Sequence, residues 1–200
     1  MKVEATFVRS AAGAGGLPSD GSPEIALVGR SNVGKSSLIN ALVRRTVART
    51  SAAPGKTRLA NVYQVARAGG SRFYLVDLPG YGYARGLHGA QREREPELAA
   101  VADAVFDRER RRVLAALLLV DSRHPGLESD VRAWRWLRQR VERCAIVATK
   151  SDKLARGERI RAIREIESVH EDSVLPVSAV TGEGLDELWK LIDRLRNNPR

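Results

Sequence analysis

The sequence predicts an α/β fold, a mostly parallel sheet with helices on both faces, and three observations carry that prediction. Short apolar runs alternate with helix-period segments along the chain, the pattern that winds a parallel sheet. Val113 to Val120 is a nearly unbroken apolar run ending in Asp121, as a central strand covered on both sides requires. Third, Gly29-Arg30-Ser31-Asn32-Val33-Gly34-Lys35-Ser36 stands between a strand-like run, Glu24 to Val28, and a helical run, Ser37 to Val43. This stretch has a glycine, four residues, then Gly-Lys-Ser, the phosphate-loop pattern. Its glycines let successive backbone N–H groups turn inward as an anion nest, and the following helix adds the positive end of its dipole. Lys35 is then placed to reach the β- and γ-phosphates of a nucleotide, and the Ser36 hydroxyl to ligate Mg²⁺.

Taken in order, Val3 to Val8 can form a strand, and Ala11 to Pro18 reads as a flexible connector. Residues 1–23 are therefore expected to be a lead-in, 24–196 the nucleotide-binding domain and 197–200 a tail. Leu59 to Arg67 alternates as an edge strand would, and Gly69-Gly70 turns it antiparallel into Arg72 to Asp77. Leu78 to Gly86 is too rich in glycine to be regular. A helix begins near Pro96, with Leu98, Val101, Ala102 and Val105 at helical spacing. Leu127, Val131, Trp134, Leu137 and Val141 mark the next helix, Cys144 to Ala148 a buried strand, and Ile160, Ile163 and Ile166 another helix. Ser173 to Val177 is the last strand; Leu185, Leu188, Trp189, Ile192 and Leu195 stripe the last helix. The expectation is one domain with a six-stranded sheet.

Composition narrows the function. With 43% hydrophobic residues, 200 residues bury a proper core. No apolar run approaches the roughly 20 residues that span a bilayer, and with no long apolar segment at Met1 to Phe7 no secretory signal is expected. Cys144 is the single cysteine, which excludes an internal disulfide and fits the reducing cytoplasm; its apolar surroundings make it a buried spectator. A net charge of +10 leaves two readings, an arginine-rich solvated surface or a polyanionic partner. In the second, RNA stands ahead of membrane because no basic amphipathic anchor is visible; no DNA is expected.

Further signals follow the phosphate loop. In Asp77-Leu78-Pro79-Gly80 the aspartate can hold Mg²⁺ through water and the Gly80 N–H can meet the γ-phosphate. In Pro54-Gly55-Lys56-Thr57-Arg58, Thr57 is the second candidate Mg²⁺ hydroxyl. Thr149-Lys150-Ser151-Asp152 follows a strand. Its carboxylate can accept hydrogen bonds from N1–H and the 2-amino group of guanine, which adenine does not offer, and such a site rejects the wrong base by roughly 10⁴-fold. Val177-Ser178-Ala179 adds backbone N–H groups for guanine O6.

GRSNVGKSSLIN, PGKTR, DLPGYGYA, DSRHP, TKSDK and VSA, in this order, resemble the EngB (YihA/YsxC) family of bacterial ribosome-biogenesis GTP-binding proteins, among the TrmE-Era-EngA-EngB-Septin-like GTPases. DLPGYGYA and Asp121-Ser122-Arg123-His124-Pro125 narrow the resemblance to this family. It implies a Ras-like P-loop NTPase fold, GTP and GDP as ligands, Mg²⁺, and slow hydrolysis. It also implies a cytoplasmic role in maturing the large ribosomal subunit with rRNA as a partner, a link to cell division and septation, and no membrane. A monomer is expected. Carried over by position, nucleotide contacts fall on Gly29, Arg30, Ser31, Asn32, Val33, Gly34, Lys35 and Ser36, and on Gly55, Lys56, Thr57, Arg58 and Leu59. They continue on Asp77, Leu78, Pro79 and Gly80, on Thr149, Lys150, Ser151 and Asp152, and on Ser178, Ala179 and Val180. Ser36 and Thr57 are the implied metal ligands.

The position after Gly80 is Tyr81, where Ras-like proteins place the glutamine that orients the attacking water. No catalytic side chain is assigned, with Lys35 and Asn32 as the candidates for stabilising transition-state charge. Asn32 has two readings, a ligand of a K⁺ ion that neutralises such charge or an asparagine bonding its own loop. Trp134 and Trp136 cannot both face the core, so Trp136 is expected beside a neighbouring helix. His124 is expected to be structural, and Arg108 to Arg112 a solvated helix end. Two rival functions are a non-catalytic GTP-dependent binding module and an ATP-using phosphotransferase.

Overall fold

β-Branched and leucine-rich runs build the sheet in the computed structural model, which describes residues 3–13, 16–49, 59–67, 70–81, 95–106 and 113–197, and for 95–99 the backbone alone. The strands are β1 (Val3–Ala11), β2 (Glu24–Gly29), β3 (Ala60–Arg67), β4 (Phe73–Asp77), β5 (Val113–Asp121), β6 (Cys144–Thr149) and β7 (Val174–Pro176). The helices among the described residues are α1 (Lys35–Val43), α2 (Glu95–Val105), α3 (Glu128–Arg138), α4 (Arg156–His170) and α5 (Leu185–Asn197). The sheet order is β1-β3-β4-β2-β5-β6-β7. β2 pairs parallel with β4 and β5, as do β5 with β6 and β6 with β7. β3 runs against both its neighbours, β1 and β4.

Seven strands stand where six were expected, because the lead-in contributes β1. That strand takes the edge position assigned to β3 and moves β3 inside. Its pattern is hidden in the sequence. Only Ala5 and Ala11 are buried along it, and the register shifts between Phe7 and Arg9, so the alternation of faces is interrupted.

β5 lies inside the sheet between β2 and β6 and alternates its side chains between two cores. Ala115, Leu117 and Leu119 pack with Leu38, Ile39 and Leu42 of α1 and Leu188, Trp189 and Ile192 of α5. Ala116, Leu118 and Val120 pack with Val101 and Val105 of α2, Trp134 and Leu137 of α3 and Ile166 of α4. Burial on both faces explains the unbroken apolar run. α5 is tied to β3 and β4 by aromatic and ionic contacts. The Trp189 and Phe73 rings meet edge-on at 6.4 Å, and the Arg67 guanidinium lies 4.7 Å from the Trp189 ring. Arg67 also pairs with Asp193.

The two tryptophans divide as expected. Trp134 is buried; Trp136 packs edge-on against Phe106, beyond α2, at 5.1 Å, under the guanidinium of Arg140. Two expectations change. On α4 the buried residues are Ala162, Ile166 and His170, and Ile160 is exposed, because a period of 3.6 carries it off that face. Cys144 is half-buried at the start of β6, and its surroundings push the thiol up to about 11, so it remains an inert thiol. Arg108 to Arg112 lies outside the described residues. Among those described, no helix is long and apolar enough to cross a membrane.

Candidate functional site

The phosphate loop leaves β2 at the carboxyl edge of the parallel strands, where open α/β sheets hold their ligands. Glycine is required at its entry. A Cβ on Gly29 would lie 2.8 Å from the Leu119 carbonyl oxygen and 2.9 Å from Val33 Cγ1. The chain then turns through left-handed backbone at Asn32, φ 60°, and Gly34, φ 110°. The Leu38 N–H donates to the Gly34 carbonyl at 2.8 Å, starting α1. No side chain caps that helix and its first turn holds no acidic residue, so its N–H groups leave a positive end facing the loop. Lys35 is buried, and its Nζ donates to the carbonyls of Gly29 at 3.0 Å and Arg30 at 3.3 Å. Burial lowers the pKa of this ammonium group, against the attraction of Asp77.

Asp77 ends β4 beside Ser36. The Ser36 hydroxyl donates to Asp77 Oδ2 at 3.2 Å, while Asp77 Oδ1 is buried without a hydrogen-bond partner among the described residues. Burial pushes this carboxyl above its ordinary pKa; Lys35 and Ser36 pull the other way. A hydroxyl and a carboxylate with an orphaned oxygen form the hard, oxygen-only donor set that Mg²⁺ takes. Gly80 packs directly on the loop, since a Cβ there would come within 2.6 Å of the Ser31 nitrogen. Next to it, the Tyr81 carbonyl accepts from the Ser31 N–H at 3.1 Å. The Tyr81 phenol crosses to α3 and donates to Asp130 Oδ1 at 2.9 Å. Asp130 is buried and raised to about 6 by desolvation, with the Tyr81 hydrogen bond and Arg30 opposing.

The segment after β6 is joined to the same loop. Thr149 Oγ1 donates to the carbonyls of Val33 at 2.7 Å and Val120 at 3.2 Å. Lys150, itself left-handed at φ 61°, runs its stem past Gly34, with Cε 3.9 Å from where a Cβ would sit. Its Nζ donates to the Asn32 carbonyl at 2.6 Å and to Asp121 Oδ2 at 2.9 Å. Asp121 also receives Arg123, from Nε at 3.0 Å and Nη2 at 2.8 Å. Burial works against its ionisation, but the Arg123 and Lys150 donors outweigh it and hold the carboxyl at about 2. Asp152 is oriented by the Ser178 hydroxyl, which donates to Oδ1 at 2.7 Å and lowers its pKa. Ser178 Oγ in turn accepts from the N–H groups of Val180 at 3.2 Å and Thr181 at 3.0 Å.

Four of the five sequence segments therefore meet around one loop. The fifth does not enter the picture: Gly55, Lys56, Thr57 and Arg58 lie outside the described residues, and of that group only Leu59 is described, exposed ahead of β3. Within the assembled segments Leu78, Pro79 and Ser151 are buried, Ala179 is half-buried, and Val180 is 78% exposed. Three side chains were missed in the sequence. Ser178 was read for its backbone alone. Asp121 ends a buried strand as Asp77 does, a signal that was available. Asp130 interrupts the apolar stripe between Leu127 and Trp134 on α3, where a buried carboxylate needs a partner. At His124 it is the backbone N–H that closes the turn after β5, donating to the Asp121 carbonyl at 2.9 Å.

A phosphate loop at the carboxyl edge of a mostly parallel sheet, with an Asp-x-x-Gly segment on one side and Thr-Lys-Ser-Asp on the other, defines a P-loop GTPase. Residues 24–150 match the family described as "50S ribosome-binding GTPase". The chain belongs to the EngB family of GTP-binding proteins. It is 44% identical over 192 residues to the probable GTP-binding protein EngB of Chlorobaculum parvum, covering 94% of this chain and 95% of that one. To the protein of the same description from Pelotomaculum thermopropionicum it is 42% identical, over 97% and 96% of the two chains. The crystal structure of a probable GTP-binding protein EngB matches with a TM-score of 0.67 at 22% identity, over 86% of this chain and 97% of that one. Era in complex with MgGDPNP and nucleotides 1506–1542 of 16S ribosomal RNA matches with a TM-score of 0.74 at 22% identity, over 90% of this chain and 58% of that one. At these identities the two crystal structures bear on the fold.

Proposed function

We propose that this GTPase is a nucleotide switch in assembly of the large ribosomal subunit, acting as a cytoplasmic monomer through residues 24–196 and linked to normal cell division and septation. The observation that carries the reading is the bond of Lys150 to the Asn32 carbonyl, which fastens the base-reading segment to the phosphate loop. In this reading Gly29 to Ser36 cradle the phosphates, Lys35 spans the β- and γ-phosphates, and Asp152, oriented by Ser178, accepts the two guanine N–H groups. Ser36 and Thr57 hold Mg²⁺, with Asp77 behind its water. The ion would neutralise charge on the β- and γ-phosphate oxygens.

Turnover is slow because Tyr81 is engaged elsewhere. Its carbonyl is bound to Ser31 and its phenol to Asp130, so it does not orient water at the γ-phosphate. Asn32 remains the candidate K⁺ ligand. Ribosomal partnership is supported by the description of the matched family and by the net charge of +10; septation is supported by the sequence resemblance. The test is co-sedimentation with purified ribosomal subunits in the GTP-analogue and GDP states. Analogue-dependent pelleting with the large subunit is expected. Equal pelleting in both states, or pelleting with the small subunit alone, would overturn the switch.

A further inference from the structure

The positive charge of this protein is segregated. From Ile25 to Val76 the chain carries nine Lys or Arg residues and no Asp or Glu, while the rest holds 25 basic against 24 acidic side chains. Within that stretch Lys35 is buried in the phosphate loop and Arg67 is committed to Asp193 and Trp189. Lys56 and Arg58 lie outside the described residues. Arg44, Arg45, Arg49 and Arg72 are exposed, and no ion pair holds them among the described residues.

Three of these arginines sit on a preorganised piece of backbone. α1 ends with Arg44 at φ 53°, a left-handed position that favours glycine. The Arg44 and Arg45 N–H groups close the helix on the carbonyls of Ala41 and Asn40. Asn40 then fixes the return of the chain. Its Oδ1 accepts from the N–H groups of Val47 at 2.9 Å and Ala48 at 2.8 Å, and its Nδ2 donates to the Ala48 carbonyl at 2.8 Å. Ala48 and Val47 pack in the same core as Tyr63 of β3. Tyr63 is paired with Phe7 of β1, whose ring meets it edge-on at 5.7 Å and is 46% exposed.

We infer that the loop Arg44–Arg49, with the exposed Phe7 ring on the adjoining edge strand, is the RNA-docking surface of this GTPase; the inference rests on the ribosomal reading above and gives it a location. Arginines held without carboxylate partners among the described residues release counterions from a phosphate backbone, and an exposed aromatic on the edge strand that covers the same core supplies a stacking face for an unpaired base. A membrane surface fits less well. On the edge strand the exposed apolar groups are the single side chains Phe7 and Val8, rather than the face of an amphipathic helix. A second arginine-bearing face, α4, is electrically mixed. Arg156, Arg161 and Arg164 share it with Glu158, Glu165 and Glu167, and Arg159 is taken by Glu183.

The experiment measures binding of the full chain, saturated with a GTP analogue, to transcribed large-subunit ribosomal RNA over a salt series. Each lost arginine–phosphate contact lowers the log–log salt slope by about 0.7–0.9. The Arg44→Gln/Arg45→Gln/Arg49→Gln variant should therefore lose about two units of slope and roughly tenfold to hundredfold in affinity at 0.15 M salt. Phe7→Leu should weaken binding by roughly fivefold or more with the slope unchanged. The Arg156→Gln/Arg161→Gln/Arg164→Gln variant should behave as the parent, and GTP affinity should be the same in all four proteins. Equal loss from the α4 variant, an unchanged slope in the loop variant, or stronger binding to phosphatidylglycerol vesicles than to RNA would overturn the location while leaving the ribosomal reading intact. A parent protein that binds no ribosomal RNA would overturn the ribosomal reading itself, and this location with it.

Discussion

Asp130 makes stability depend on pH in a way that can be computed and checked. In the folded protein its carboxyl is raised from 3.8 to about 6, chiefly by burial in the first turn of α3. The groups that bear on it are Tyr81 and Arg30, which favour the charged form, Asp121, which opposes it, and His124, which favours it weakly. A carboxyl with a raised folded pKa contributes stability that is fully present below the unfolded value and is lost as pH rises through the folded one. The span from 3.8 to about 6 corresponds to about 3 kcal/mol in all. Between about pH 5 and 7.5 the linkage relation gives about 1.4 kcal/mol of that loss. The perturbation is Asp130→Asn, which keeps an oxygen for the Tyr81 hydroxyl and removes the titration. An amide in this pocket brings its own fixed cost, since Asp130 Oδ2 has no partner among the described residues. The informative quantity is therefore the change with pH of the stability difference between parent and variant, from denaturant unfolding at saturating GDP. The parent should lose about 1.4 kcal/mol relative to the variant across that window, or about 3–6 °C in relative Tm. Parallel pH profiles would refute the burial argument.

Two further outcomes bear on the nucleotide site. Asp152→Asn should weaken GTP and favour xanthine nucleotide, because the amide can donate to the 2-oxo group where the carboxylate accepted from an amine; a competition titration that leaves base preference unchanged would exclude Asp152 as the reader. Turnover without ribosomes should be on the order of 10⁻³ per second or below, the scale of Ras alone, in a single-turnover assay. If that rate is the same in K⁺ and Na⁺, Asn32 holds no catalytic cation, and a much faster rate would mean that a catalytic group has been overlooked.

The sequence made the site more legible than the edge of the sheet, for a physical reason. Phosphate loops, Asp-x-x-Gly and Thr-Lys-Ser-Asp are local backbone devices, so their residues must be adjacent in the chain. β5 was equally plain, because two buried faces demand an apolar residue at every position. β1 was read only as the first six residues of a strand in a lead-in. Six of its nine residues are exposed along Glu4 and Thr6 to Ser10, and the bulge beside Val8 breaks the alternation that would have revealed its partner. The polar contacts were illegible for a different reason. Tyr81 and Asp130 are 49 residues apart, Lys150 and Asp121 29, and Asp152 and Ser178 26; nothing in local spacing couples such pairs.

Those long-range contacts account for the shape of the phosphate loop. Asn32 at φ 60° occupies a region that costs a non-glycine residue of order 1 kcal/mol or more and persists only where neighbours fix it. Here the neighbours are named. Ser31 N–H is held by the Tyr81 carbonyl, the Asn32 carbonyl by Lys150, the Val33 carbonyl by Thr149, and Ser36 by Asp77. Consecutive residues on the loop are thus fixed from two opposite sides, one leading through Tyr81 to α3 and the other through Lys150 to Asp121 and the Thr149–Asp152 segment. A loop constrained in this way takes its shape from the protein's own hydrogen bonds, and in the reading proposed above those same bonds tie the phosphate end of the site directly to the base end.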